Sequence, residues 1–284
     1  MFVICGVTGH VGSVAANLLI SKGQKIKVVI RNEAKATDWS KQGAEVAIGD
    51  LGNEAFLTTA FKGARGVFVL LPANWGWTNI LAEQKKLGAV IAAAVKNAKV
   101  PHVVMLSSTG ADLKEGTGPI KGLHHLENAL RGTGAQLTLV RAGMFMENMG
   151  QNIAAAKSAG IYPNMMPSRD IPMALIATKD IGQVVADALQ AGPKNEIIDL
   201  HGPAYTVNQL AEKLGRALKK QLNVLDIPES GWFDALVKGG VPKPWAEQYV
   251  EMYQGFMAGK ISPKGDRAIQ GKTTVDDVIK VLTH

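Results

Sequence analysis

Six short apolar runs of strand type recur along the first 150 residues, separated by stretches with helical spacing. They cover residues 2–5, 25–30, 44–48, 67–72, 103–108 and 137–141. Near-continuous apolar runs are what a parallel sheet needs when helices cover both of its faces. Residues 13–20 and 84–96 show the matching helical periodicity. The alternation predicts an α/β fold with a doubly wound parallel sheet.

Beyond Asn148 the pattern changes. Residues 151–158 read as a helix ending at Gly160, and 162–167 as a loop with exposed apolar side chains. Residues 173–176 form a short strand, and Asp180 is expected to cap a helix running to Ala191. Residues 196–200 are a further strand, a candidate to rejoin the main sheet. Thr206 with Gln209 three positions on forms a capping box for a helix over 206–219. Residues 228–244 mix Gly, Pro and Trp, 245–257 are helical, and Thr274 opens the last helix. The expected organisation is a cofactor domain over 1–150 and a smaller, mixed substrate-binding part over 151–284. The second part is expected over the carboxyl ends of the strands, where open α/β sheets bind ligands.

Composition narrows the class. Hydrophobic residues make up 46% and charged ones 19%, an ordinary globular balance. No apolar run approaches the roughly 20 residues of a membrane helix. The N-terminal run lacks a basic leader, so a signal peptide is not expected. The lone cysteine, Cys5, falls inside the first strand, is expected to be buried and inert, and fits a reducing, cytoplasmic setting. The net charge of +7 favours anionic ligands. Its lysines are scattered and no nucleic-acid-binding motif accompanies them, so direct nucleic-acid binding is not expected. No membrane partner or metal is expected either.

Candidate chemistry begins at the first strand. Gly6-Val7-Thr8-Gly9-His10-Val11-Gly12 joins that strand to the first helix. Strand, glycine turn and helix in this order cradle the pyrophosphate of a dinucleotide. Gly6 serves the tight turn, Gly9 lets backbone approach the phosphates, and Gly12 lets the helix pack on the strand. The first-turn N–H groups and the positive helix end favour the anion. Thr8, His10 and Val11 complete the cradle. Strand two ends in Arg31-Asn32, with Lys35 one turn on, where NAD-preferring sites carry an acid. A guanidinium there suits a 2′-phosphate, so NADP(H) is the expected cofactor. Asp50 and Leu51 follow strand three where adenine would lie. For Asp50 two roles stay open, an adenine contact and a cap for the helix starting near Asn53. Leu71-Pro72, Ser107 and Ser108 sit at strand ends facing the cofactor, with strand-end capping an alternative for the serines.

The segment 138–148, Thr-Leu-Val-Arg-Ala-Gly-Met-Phe-Met-Glu-Asn, sharpens this reading. With the glycine turn, Arg31 and Gly49-Asp50-Leu51, it resembles the NmrA-like family of atypical short-chain dehydrogenases/reductases. Within that family the likeness is greatest to NADPH-dependent quinone oxidoreductases. Asp180-Ile181-Gly182, Gly202-Pro203 and Glu251-Met252-Tyr253 extend it along the chain. The resemblance implies a Rossmann-type fold, NADP(H), and either hydride transfer to a quinone or a non-catalytic, cofactor-sensing regulator. The wider superfamily uses a Y-x-x-x-K pair. Here Thr117 stands four before Lys121, and no tyrosine lies between Phe2 and Gly160. Lys121 is the candidate catalytic residue, and His124 and His125 are weighed as proton donors against packing roles. A quinone is already electron-poor and solvent can protonate its product, so a missing tyrosine is compatible with its reduction. Asn74, Trp75, Trp77, Phe145, Asn148 and Tyr162-Pro163 are candidate walls for a flat ring; for Trp75 and Trp77 a core role stays open. A small-molecule acceptor is the expected partner, with a homodimer or a protein partner left open.

Overall fold

The computed structural model describes residues 1–166 and 168–283. The first half alternates β1 (Phe2–Ile4), α1 (His10–Ser21), β2 (Ile26–Ile30), α2 (Ala36–Lys41), β3 (Glu45–Ile48), α3 (Glu54–Phe61), β4 (Gly66–Val69), α4 (Ile80–Asn97), β5 (His102–Ser108), α5 (Ile120–Arg131) and β6 (Gln136–Ala142). The second half contains β7 (Met144–Phe145), α6 (Ile153–Ala159), β8 (Ile161–Asn164), β9 (Met173–Ile176), α7 (Thr178–Ala191), β10 (Glu196–His201), β11 (Ala204–Tyr205) and α8 (Val207–Leu218). It closes with β12 (Asn223–Asp226), α9 (Trp232–Lys238), α10 (Lys243–Met257), β13 (Arg267–Gln270) and α11 (Val275–Thr283).

Eight strands form one parallel sheet in the order β13-β10-β6-β5-β4-β1-β2-β3. The order reverses between β1 and β4, the switch point at which such sheets bind ligands. Alternation along the strands builds two cores. Ile4, Val28, Phe68, Val104, Val140 and Ile198 face one side, against α1 and α7. Val3, Val29, Val67, Met105 and Leu139 face the other, against α3, α4 and α5. Each fully buried side chain of this size contributes about 1.5–3 kcal/mol.

Helix α7 lies directly on α1. A Cβ at Gly182 would sit 2.6 Å from the Val14 side chain and 2.9 Å from the Val11 carbonyl oxygen, so only glycine permits this spacing. Two small sheets, β11-β9-β7 and β12-β8, flank the large one. Behind them Met146, Tyr162, Leu175, Leu210, Leu214 and Val278 form a third core. A fourth joins Ile80 and Trp77 to Leu236, Val241 and Trp245.

Several local expectations need correction. Residues 161–164 are strand β8, paired with β12, because Tyr162 has a core to enter and is 5% exposed. It is therefore no pocket wall; Pro167, assigned to the same loop, lies outside the described residues. Asp180 does not cap α7. It lies inside the first turn and accepts from the Thr273 amide and hydroxyl at 2.9 and 2.8 Å. The α7 N-terminus is held instead by Glu147 Oε1, which accepts from the Thr178 amide and hydroxyl at 2.9 and 2.6 Å. Asn53, not Asp50, caps α3. The capping box at Thr206 and Gln209 is present as expected.

Candidate functional site: a dinucleotide cradle under two tethered loops

The glycine turn separates three physical demands. Gly6 has φ +68°, a left-handed conformation that favours glycine. A Cβ at Gly12 would overlap the Gly6 carbonyl, so Gly12 is fixed by helix-on-strand packing. Gly9 is different. Its backbone is extended, with φ −101° and ψ 173°, and a Cβ there would meet only the Gly6 oxygen at 3.5 Å, ordinary contact. Nothing within the protein requires glycine at position 9; an approaching ligand would.

Gly9 also begins α1 without a side-chain cap, and the first turn carries no acid. Helices α3, α4 and α8 are capped by Asn53, Asn79 and Thr206. The α1 N-terminus thus presents unsatisfied N–H groups at His10, Val11 and Gly12 beside exposed Thr8, Gly9 and His10. That combination suits a phosphate group. Cys5, at the root of the turn, is 2% exposed and burial pushes its thiol up to about 12, so it is inert.

Arg31 is exposed immediately after β2. Asn32 accepts from the Ala34 amide and turns the chain so that Lys35, also exposed, closes the same short turn; Glu33 stands between the two cations. Asp50 is exposed, and its Oδ1 accepts from the Gly52 amide at 2.6 Å. Leu51 is half-buried against the α3–α4 core. Leu71 and Pro72 are half-buried just past β4.

Ser107 departs from expectation. It is 3% exposed and its hydroxyl donates to Glu127 Oε1 at 2.6 Å, inside a buried network and not on an open strand end. Glu127, 2% exposed, receives both Nε (3.0 Å) and Nη2 (2.7 Å) of Arg141. Arg141 reaches Asp112 at 3.7 Å, and Lys264 meets the same Asp112 at 3.1 Å. Buried charge demands this degree of pairing. The network ties the ends of β5 and β6 to α5 and the C-terminal region. Ser108 is half-buried and donates to the Thr109 carbonyl.

Lys121 lies in the first turn of α5, its side chain 14% exposed, and its Nζ meets Glu251 Oε2 at 2.5 Å. Glu251 Oε1 also accepts from the Gly116 amide at 3.0 Å. His124 is held between the Ala111 carbonyl and Asn128. His125 has its pKa lowered by burial, and by Lys85 and His124 nearby. Phe145 is half-buried in β7, Asn148 is exposed on the turn that follows, Asn74 is exposed and Trp75 is 47% exposed. Trp77 instead packs into the fourth core. Glu127, Trp245 and Glu251 had no sequence signal of their own as site builders, because their partners are distant in the chain.

The NmrA-like family model matches residues 1–278. The chain belongs to the NmrA-like family. Among curated NmrA-like relatives, it is 27% identical over 255 residues to an NAD(P)H azoreductase of Xenophilus azovorans, covering 89% of this chain and 86% of that protein. It is 27% identical over 267 residues to quinone oxidoreductase 2 of Escherichia coli, covering 91% and 89%. Its fold matches the Citrobacter triphenylmethane reductase crystallised with NADP(H), at TM-score 0.85 and 21% identity, over 99% of this chain and 100% of that one. The NADPH complex of an Escherichia coli NADPH-dependent quinone oxidoreductase matches at TM-score 0.78 and 23% identity over the full length of both chains. Among the described residues of this NmrA-like chain, no helix is long and apolar enough to cross a membrane, and no cluster of His, Cys, Asp or Glu could hold a metal ion.

Proposed function

We propose that this protein is a cytoplasmic NADPH-dependent reductase of flat, electron-poor acceptors, quinones first and azo compounds second. The observation that carries the reading is Gly9. It is a glycine that the protein's own packing leaves open, on an uncapped helix N-terminus, one strand away from Arg31. Residues 1–150 supply the cofactor cradle and 151–284 the cover. Both full-length curated relatives named above are reductases of the proposed acceptor classes.

In this reading the N–H groups of His10, Val11 and Gly12 bind the pyrophosphate, with Thr8 beside them. Arg31 and Lys35 clamp the 2′-phosphate, Asp50 and Leu51 border the adenine, and Leu71 and Pro72 line the path towards the nicotinamide. Bound NADPH supplies a hydride. Asn74, Trp75, Phe145 and Asn148 hold the acceptor ring. Lys121, ion-paired with Glu251, offers a positive field to the oxygen that gains electrons; the balancing proton comes from water.

The test is NADPH oxidation by purified protein with a panel of quinones and azo dyes. Turnover with quinones and none with simple secondary alcohols plus NADP+ supports the reading. NADPH binding without hydride transfer to any acceptor replaces it with a sensor. Loss of all turnover in Lys121→Ala with NADPH binding intact would make Lys121 the proton donor instead of a fixed charge.

A further inference from the structure

The loop after β4 is held by several hydrogen bonds although it displays an indole to solvent. Asn74 Oδ1 accepts from the Gly76 amide at 3.0 Å, and the Asn74 carbonyl accepts from the Trp77 amide at 3.1 Å. That same carbonyl takes a second hydrogen bond from Trp245 Nε1 at 3.0 Å, from 171 positions along the chain. Trp245 is 3% exposed and packs in the fourth core with Trp77 and Ile80, its ring 5.9 Å from Tyr249. The tip of the loop, Trp75, makes no part of that core and stays 47% exposed.

Helix α10, which carries Trp245, also holds a second loop. Glu251 binds the Gly116 amide and Lys121, while Gly255 and Gly118 allow α10 and the 116–118 turn to touch backbone to backbone. One helix therefore fixes both the β4–α4 and the β5–α5 loops at the carboxyl edge of the sheet.

We propose that Trp245 is a positioning residue for the acceptor: its indole N–H pins the Asn74 carbonyl and thereby sets where Trp75 offers its ring face. This rests on the reductase reading for the identity of the ligand, but not for the latch itself. Trp245→Phe keeps an aromatic ring and removes the N–H. The expected result is at least tenfold faster hydrogen exchange of the Gly76 and Trp77 amides in the free protein. The dissociation constant for menadione, read by isothermal titration calorimetry, should rise about fivefold, and the KM for menadione with it. Affinity for NADPH and kcat should stay within twofold. In a Trp75→Ala background, Trp245→Phe should weaken menadione binding no further, because the two act as one unit.

Unchanged amide exchange in folded Trp245→Phe overturns the latch. Faster exchange with unchanged menadione affinity overturns its role in acceptor placement. Should Trp245→Phe fail to fold, Trp75→Ala decides alone, and unchanged menadione affinity there overturns the proposal. If the unmutated protein binds menadione but transfers no hydride, the reductase reading fails while exchange and calorimetry still report on the latch.

Discussion

The two sides of the candidate site are built on opposite plans. The cofactor side is a contiguous stretch, Gly6 to Gly12, acting through backbone: a left-handed turn, a close helix–strand contact and free N–H groups. The proposed acceptor side depends on side chains distant in the chain: from helix α10 Trp245 holds Asn74 and Glu251 holds Lys121, while the buried Ser107–Glu127–Arg141 network braces the strand ends behind them. The first plan ties function to glycine spacing. The second ties it to packing in the tertiary fold, so its parts can be exchanged singly without disturbing the cradle.

The sharpest way to break this contrast is at the buried ions. Glu127→Gln leaves Arg141, 4% exposed, without its main counter-charge. It should lower unfolding stability by about 3 kcal/mol in urea titrations. The NADPH affinity of the folded fraction should be unchanged. A loss below about 1 kcal/mol would mean that Asp112 compensates fully.

Within the cradle, two alanine substitutions should separate packing from ligand approach. Gly12→Ala should cost about 2 kcal/mol of stability, since the helix must lift off the strand. Gly9→Ala should leave the urea midpoint almost unchanged and weaken NADPH at least tenfold; Gly9→Val should abolish binding with native circular dichroism. Equal stability losses in the two alanine variants would merge their roles. At the rim, NADPH should bind at least tenfold more tightly than NADH, about 1.4 kcal/mol, and Arg31→Ala should erase most of that preference. Coincident titrations of the two cofactors on the unmutated protein would refute the phosphate clamp.

The smallest expected effect lies at the opposite end of the sheet. His102 is fully buried on Thr138, and burial lowers its pKa, partly countered by Glu196. The unfolded chain takes up a proton near pH 6.5 and the folded one resists it, so stability should fall as pH drops below about 6.5. Glu196, held at about 2 by hydrogen bonds from Arg267 and then Lys194, stabilises fully above the ordinary carboxylate range. Its contribution should fade as pH falls from about 4.5 towards 2. Urea midpoints should therefore show two acid-side declines, and His102→Gln should remove the first. Matching midpoints near pH 7.5 and 5.5 would reject the His102 step.

The same contrast explains what could be read from sequence. Most strands up to β6 were legible because burial on both faces makes them near-continuous apolar runs; β3, half-exposed at the sheet edge, was legible only from the short apolar stretch after Glu45. The cradle was legible because its chemistry is local. Strand β13 was not: three of its four residues are exposed at the sheet edge and leave no apolar run. Residues 161–164 look like a loop because Pro163 and Asn164 are turn formers, yet Asn164 is buried and bonded to Asp226 across to β12. Ser107 illustrates the limit for the site. A strand-end serine has two sides to face, and only the position of Glu127 decides between them.

The seating of α7 on α1 has a consequence for how the chain comes to be folded. Ile181, Val185 and Leu189 cover the part of the sheet face which α1 leaves open, over β4 to β6, so it is completed only once about residue 190 has left the ribosome. Residues 1–150 are thus not expected to be an autonomous folding unit. A gene cut near residue 150 would yield a fragment with half its sheet unroofed. Supplying the remainder in trans should restore it, which makes that junction a natural place for a split-protein reporter.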